Sequence, residues 1–140
     1  MYLDRRVLIR AAMDAMSNAY APYSHFHVGA ALLGSDGEIY TGCNVENASY
    51  GASMCAERAA VSRAVSQGCR RFVAIAIAGG SRGMMGGRVP PCGICRQVLS
   101  EFCTPSQFRV LLAASLDEWQ EYTLEDLLPM SFSLNDPEMG

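Results

Sequence analysis

Residues 72–78 form a continuous apolar run, Phe-Val-Ala-Ile-Ala-Ile-Ala, without a single polar or charged side chain. Such a run is typical of a β-strand that other elements cover on both faces, as in a sheet with helices on either side. The run is far too short to cross a bilayer, so we do not expect a membrane span. It predicts instead an α/β fold with a strand buried at its centre.

Predicted helices and strands alternate on both sides of this run. Apolar spacing and end signals predict helices over about 17 residues after Leu3 and over 55–67, 92–102 and a short stretch from Thr123. Strand-like runs cover 26–33, 38–43, 72–78, 108–114 and 119–122, and the glycine-rich stretch 79–87 predicts a flexible loop. We therefore expect one domain over residues 1–140, a three-layer α/β/α fold around a five-stranded mixed sheet.

All eleven basic residues are arginines, and the absence of lysine excludes several reaction classes. Schiff-base chemistry, pyridoxal phosphate attachment and the phosphate-binding P-loop each need a lysine amine. A net charge of −3 also argues against nucleic acid as a partner. The beginning of the chain has no apolar segment of signal-peptide length, so we expect a cytoplasmic protein.

Three of the six cysteines have a spacing that suggests a metal site. Cys92 and Cys95 lie three positions apart at the start of a predicted helix, and Cys55 lies at the start of another. A C-x-x-C pair alone could equally be a redox pair, a zinc knuckle or a coincidence. Three thiols at helix N-termini would have lowered pKa values, and their softness favours Zn²⁺ with a fourth position open to water.

Glu57 suggests that this site is catalytic. It follows Cys55 by two residues and so points past the metal, where its carboxylate could accept a proton from metal-bound water. A closed structural site would need a fourth ligand, but the other cysteines and the two histidines form no second ligand pair. Arg58 and Arg96 each follow a site residue, and we expect them to hydrogen-bond the sulfurs, unless they form ordinary solvated ion pairs.

Two segments together resemble the signature of the zinc-dependent nucleoside deaminases. They are Cys-Ala-Glu-Arg at 55–58 and Pro-Cys-Gly-Ile-Cys-Arg-Gln at 91–97. With cysteine as the first ligand, the chain is similar to the small homotetrameric cytidine deaminases. The resemblance extends over almost the whole chain, through residues 19–24, 28–31, 42–48 and 127–129.

This resemblance implies a pyrimidine-salvage enzyme that hydrolyses cytidine and 2′-deoxycytidine to uridine and 2′-deoxyuridine, with release of ammonia. Zinc-activated water would attack the ring, and Glu57 would carry the protons. Asn44 and Glu46 would bind the ribose hydroxyl farthest from the base, and Phe26 would lie against the pyrimidine. Ala48, Tyr50 and Phe132 would reach the nucleoside from neighbouring subunits of a homotetramer.

Two alternatives stay open at this point. A deaminase of the same fold could act on another aminopyrimidine, such as a blasticidin-type antibiotic nucleoside. A zinc-stabilised module without catalytic activity would instead show four protein ligands. Asn44 and Glu46 could also be turn-forming residues at a strand end, and Phe26 could be a core residue.

Overall fold

The computed structural model describes residues 2–134 as a five-stranded sheet flanked by helices. In that part of the chain the α-helices are α1 (Arg5–Ala15), α2 (Ala56–Ser66), α3 (Gly93–Ser100) and α4 (Leu124–Leu127), and short 3-10 helices cover Met16–Asn18 and Tyr50–Ala52. The strands are β1 (Phe26–Gly34), β2 (Ile39–Cys43), β3 (Phe72–Ser81), β4 (Arg109–Ala113) and β5 (Trp119–Thr123). Among the helices of residues 2–134, none is long and apolar enough to cross a membrane.

The sheet has the strand order β2-β1-β3-β4-β5 and mixes parallel with antiparallel pairs. β3 lies at its centre, parallel to β4 and antiparallel to β1, while β2 and β5 form antiparallel edges. The expected α/β fold with a five-stranded mixed sheet is confirmed, and the apolar run is its central strand.

The two faces of β3 differ in side-chain size. Ala74, Ala76 and Ala78 pack on one face with α1, whereas Ile75 and Ile77 pack on the other with α2 and α3. The alanine face lets α1 come very close to the sheet: a Cβ atom on Gly29 in β1 would lie 2.0 Å from the carbonyl oxygen of Ala12. The alternation thus produces the three layers.

Helix α2 also packs directly on the backbone of a strand. A Cβ atom on Gly42 of β2 would lie 2.4 Å from the backbone nitrogen of Ala60 and 2.6 Å from the carbonyl oxygen of Ala56. No real Cβ tolerates such distances, so glycine at this position determines how closely α2 lies to β2. Cys55, the residue before α2, is positioned by the same contact.

The sequence predicts a flexible loop over residues 79–87, and this is wrong for the first three of them. Gly79, Gly80 and Ser81 continue β3 and pair with β1. The loop that follows folds back against the strand. A Cβ on Gly80 would lie only 1.6 Å from the carbonyl oxygen of Met84, so only glycine fits there. The low strand propensity of glycine favours a loop at these positions, whereas here glycine makes room for the returning chain.

Replacing Gly42 with alanine should destabilise the protein. The added methyl group would force α2 away from β2, and overpacking of this kind costs about 1–3 kcal/mol. The free energy of unfolding, measured by denaturant titration, should fall accordingly. Gly51→Ala is the matched control, because its Cβ would have no neighbour within 4 Å. Equal stability of both variants would contradict the packing argument.

Candidate active site

The N-termini of α2 and α3 meet, and three cysteine thiols lie between them. Cys55 is the N-cap of α2, Cys92 is the N-cap of α3, and Cys95 lies in the first turn of α3. The positive end of a helix dipole favours a thiolate over a thiol. The two helix ends therefore present a positive potential to all three sulfurs.

The three sulfurs are close enough together to bind one metal ion. All three Sγ atoms lie within 4.8 Å of one another, with 3.9 Å between Cys55 and Cys92 and 3.3 Å between Cys92 and Cys95. Tetrahedral zinc with Zn–S bonds of about 2.3 Å would hold its sulfurs about 3.8 Å apart. In the part of the chain that the structure describes, neither histidine belongs to this group. The donor set thus fits zinc with a fourth position left for another ligand.

Arg58 lies beside this cluster. Its Nη2 atom donates to Sγ of Cys55 over 3.6 Å. A hydrogen bond from the Cys95 thiol lowers the pKa of Cys55, and Arg58 lowers it further. The same hydrogen bond, together with burial, raises the pKa of Cys95. The arrangement offsets negative charge on the sulfurs, as a site with three thiolates requires.

Arg96 has a different environment from the one expected. Its guanidinium donates to the carbonyl oxygens of Pro91, over 2.8 Å, and of Leu127, over 2.7 Å. Among its hydrogen bonds within residues 2–134, none reaches a sulfur. One position along a helix turns a side chain by about 100°, so Arg96 points away from the face that carries Cys95 and towards the end of α4.

Glu57 is the buried carboxyl group of the site. Its residue is only 5% exposed, and burial raises its pKa to about 7. It borders the same cavity as Cys55 and Cys92 but does not belong to the group of candidate metal ligands. A carboxyl group in this position can accept or donate a proton beside the metal-binding thiols.

A cavity of about 490 Å³ opens in front of Glu57. This volume is within the range of small-molecule binding sites. Its walls combine apolar and polar side chains from β1, the segment after β2, the start of α2 and the loop before α3. They include Phe26, Val28, Asn44, Glu46, Tyr50, Met54, Glu57, Val89, Pro90 and Ile94.

Asn44 and Glu46 border the same cavity and are held in place by hydrogen bonds to their own chain. Asn44 accepts from the backbone nitrogen of Val28, over 2.9 Å, and donates to the carbonyl oxygen of Phe26, over 2.8 Å. The hydroxyl of Ser24 donates to Glu46 and is the main cause of its lowered pKa. Glu46 is therefore an ionised acceptor whose orientation is determined before any ligand binds.

The three residues expected to come from neighbouring subunits lie in different surroundings. Tyr50 borders the cavity of its own chain and meets Tyr23 edge to face, with 6.1 Å between ring centroids. Ala48 is exposed and is not part of the cavity wall. Phe132 is 68% exposed, and its carbonyl oxygen accepts from Gln97 over 2.8 Å.

The sequence analysis missed several residues of the site. Met54, Val89, Pro90 and Ile94 supply apolar wall, although only their proximity to the motifs indicated a place near the site. Ser24 was missed as well, because its partner Glu46 lies 22 positions away and no periodic pattern connects them.

The chain is similar to known proteins over nearly its whole length. Residues 4–110 match the family model described as the cytidine and deoxycytidylate deaminase zinc-binding region. A cytidine deaminase of Halalkalibacterium halodurans is 47% identical, over 96% of this chain and 98% of its own. The crystal structure of cytidine deaminase from Burkholderia pseudomallei, 45% identical, superimposes with a TM-score of 0.83 over 93% of this chain and all of its own. The cytidine deaminase structure from Mycobacterium tuberculosis, 42% identical, gives 0.80 over 95% of this chain and all of its own.

The cysteine cluster predicts how the bound metal responds to substitution. Cys55→Ser and Cys92→Ser should each reduce the zinc content well below one ion per chain, because each removes one of three soft ligands. The measurement is metal analysis of gel-filtered protein. Cys43→Ser and Cys103→Ser, outside the cluster, are the matched controls and should keep the full content. An undiminished content in Cys92→Ser would contradict this ligand set.

Proposed function

Since the chain belongs to the cytidine and deoxycytidylate deaminase family, we propose that its cavity is the active site of a zinc-dependent hydrolase that deaminates cytidine to uridine and ammonia. The observation that carries this proposal is the buried Glu57 beside three gathered thiols, with Asn44 and Glu46 bordering the same cavity. A candidate metal site and polar groups able to bind a sugar, both bordering one cavity, suit a nucleoside. 2′-Deoxycytidine is proposed as a second substrate.

Cys55, Cys92 and Cys95 would hold the zinc ion, one per subunit. The chemistry that zinc supplies when bound is Lewis acidity, which lowers the pKa of water towards roughly 7. Arg58, which donates to the sulfur of Cys55, would offset part of the negative charge of the three thiolates. Arg96 would instead keep the segment before Cys92 in place through the carbonyl oxygen of Pro91.

Glu57 would move the protons. Its carboxylate would take one proton from the attacking water and deliver it to the ring nitrogen, then take the remaining proton of the same oxygen and deliver it to the departing amine. One group can serve as base and then as acid because it remains in place between the water and the ring. Its burial keeps bulk water from competing for these protons.

The rest of the cavity would bind the nucleoside. Phe26 offers a flat apolar surface to the pyrimidine, and its backbone is held by Asn44. Asn44 keeps one amide hydrogen, and Glu46 keeps lone-pair capacity, for a ribose hydroxyl. The position of Glu46, bordering the cavity, favours this role over that of a turn residue.

The active form is proposed to be a homotetramer with shared sites. Exposed apolar side chains border the cavity and are well suited to burial against other copies: Phe26, Tyr50, Met54 and Ile94. Phe132 and Ala48, which do not border the cavity of their own chain, would approach the nucleoside of a neighbouring subunit. Tyr50 would border the active site of its own chain and would also contact the nucleoside in the site of a neighbouring subunit.

The cytoplasm is the proposed location. All six cysteines are unpaired, and the proposed ligands must stay reduced to bind zinc.

Glu57→Gln tests the catalytic assignment. The variant should retain zinc yet lose roughly 10²- to 10⁴-fold in kcat, because an amide cannot accept and pass on the proton. The measurement is the ultraviolet change on conversion of cytidine to uridine, together with metal analysis. Glu38→Gln, an exposed residue in the turn between β1 and β2, is the matched control. Near-normal turnover by zinc-loaded Glu57→Gln would refute the role of Glu57.

A further inference from the structure

We propose that Ser24 is a positioning residue for nucleoside binding, and that its hydroxyl sets the placement of Glu46 relative to Phe26. The inference rests on the proposed contacts of Glu46 with the sugar and of Phe26 with the base. Ser24 itself needs no contact with the substrate. Its role is to hold Glu46 and Phe26 at a constant separation, because they must bind the sugar and the base of the same nucleoside.

The Ser24 hydroxyl joins the two binding residues directly. It donates to Oε2 of Glu46, and its oxygen accepts from the backbone nitrogen of Phe26 over 3.0 Å. A hydroxyl can donate once and accept at the same time, so both roles are compatible. The Ser24 Oγ atom therefore takes part in two hydrogen bonds, one to the Glu46 carboxylate and one to the first residue of β1.

The same turn determines the orientation of the carboxylate. Oε1 of Glu46 accepts from the backbone nitrogens of Tyr23, over 3.0 Å, and Ser24, over 3.1 Å. With the hydroxyl bond, three of the about four lone-pair positions of the carboxylate are occupied by its own chain. The remaining position lies on Oε2, the oxygen that Ser24 holds. The sugar hydroxyl would therefore meet the one acceptor whose direction depends on Ser24.

The backbone between Ser24 and Phe26 adopts the shape that this arrangement requires. His25 has a φ of 58°, in the left-handed region that side chains other than glycine rarely adopt. It is held there by a bond from its nitrogen to the carbonyl oxygen of Ala21, over 3.0 Å, and by a bond from the nitrogen of Arg82 to its own carbonyl oxygen. This reversal lets the Ser24 side chain face the nitrogen of Phe26 two residues later.

Loss of the hydroxyl should weaken the binding of a whole nucleoside more than that of a free base. A nucleoside gains affinity when its two binding groups are already at the correct separation, whereas a free base uses only one of them. The bonds from the backbone would still hold Oε1, so the carboxylate would remain near its place but become less well aligned. The reacting end of the cavity, around Glu57, would be unaffected.

The test compares Ser24→Ala, Ser24→Thr, Glu46→Gln and the double variant Ser24→Ala/Glu46→Gln in the zinc-loaded enzyme. The readouts are kcat and KM for cytidine and the inhibition constants of uridine and uracil. Ser106→Ala, in an exposed turn before β4, is the matched serine control. Thermal unfolding of each variant reports whether the fold is kept. If Ser24→Ala does not fold, Ser24→Cys decides, because its thiol keeps the volume but donates only weakly.

Ser24→Ala should raise the KM for cytidine and the inhibition constant of uridine roughly 3- to 10-fold, the effect of about one hydrogen bond. Its kcat and the inhibition constant of uracil should stay within about twofold of the parent enzyme, and Ser24→Thr should restore nucleoside binding. In the double variant, Ser24→Ala should add less than about twofold to the loss caused by Glu46→Gln, because both act through one contact.

Three results would overturn the inference: unchanged uridine binding in Ser24→Ala, a loss in kcat alone, or losses that multiply in the double variant. A parent enzyme inactive on cytidine would refute the proposed function instead. Tight uridine binding by Glu46→Gln would refute the sugar contact. If Glu46→Gln weakens uridine binding and Ser24→Ala has no effect, the role of Ser24 fails alone.

Discussion

The meeting of two helix N-termini is the constraint on which the rest of the structure depends. Two positive dipole ends repel each other unless negative charge lies between them, and the thiols at Cys55, Cys92 and Cys95 can supply it. The sheet brings the ends together: Gly42 allows α2 to lie on β2, and the chain after β3 leads to α3. The candidate metal cluster would thus also offset the repulsion that arises where the two helix ends pack together.

Two carboxylates in one cavity have opposite environments and, we infer, different tasks. Glu57 is buried among apolar atoms and sulfur, so its pKa is raised. Glu46 is surrounded by hydrogen-bond donors from the turn at Tyr23 and Ser24, so its pKa is lowered. The former can exchange a proton at neutral pH, and the latter remains a charged acceptor. The main cause is burial at Glu57 and hydrogen bonding from Ser24 at Glu46.

Sequence reasoning predicted those features that local spacing determines. The apolar run became the central strand, and the thiols at 55, 92 and 95 came together because each lies at a helix start that its own neighbours define. The partner of Arg96 could not be predicted, because a long side chain reaches carbonyl oxygens as easily as sulfur and tertiary packing decides between them. The continuation of β3 through Gly79 and Gly80 was missed because pairing with β1 outweighed the low strand propensity of glycine. Contacts across long separations, such as that between Ser24 and Glu46, leave no periodic signal.

The central strand lies, in chain order, between the two helices that carry the thiols. Cys55 and Cys92 are 37 positions apart, and all of β3 belongs to the segment between them. An ion that binds both sulfurs would therefore link the two ends of the chain segment that contains β3. Such a link restricts the unfolded chain and lowers its conformational entropy, as a cross-link does. The ion that these thiols are proposed to hold would thus also stabilise the fold, so that its removal would cost both stability and activity.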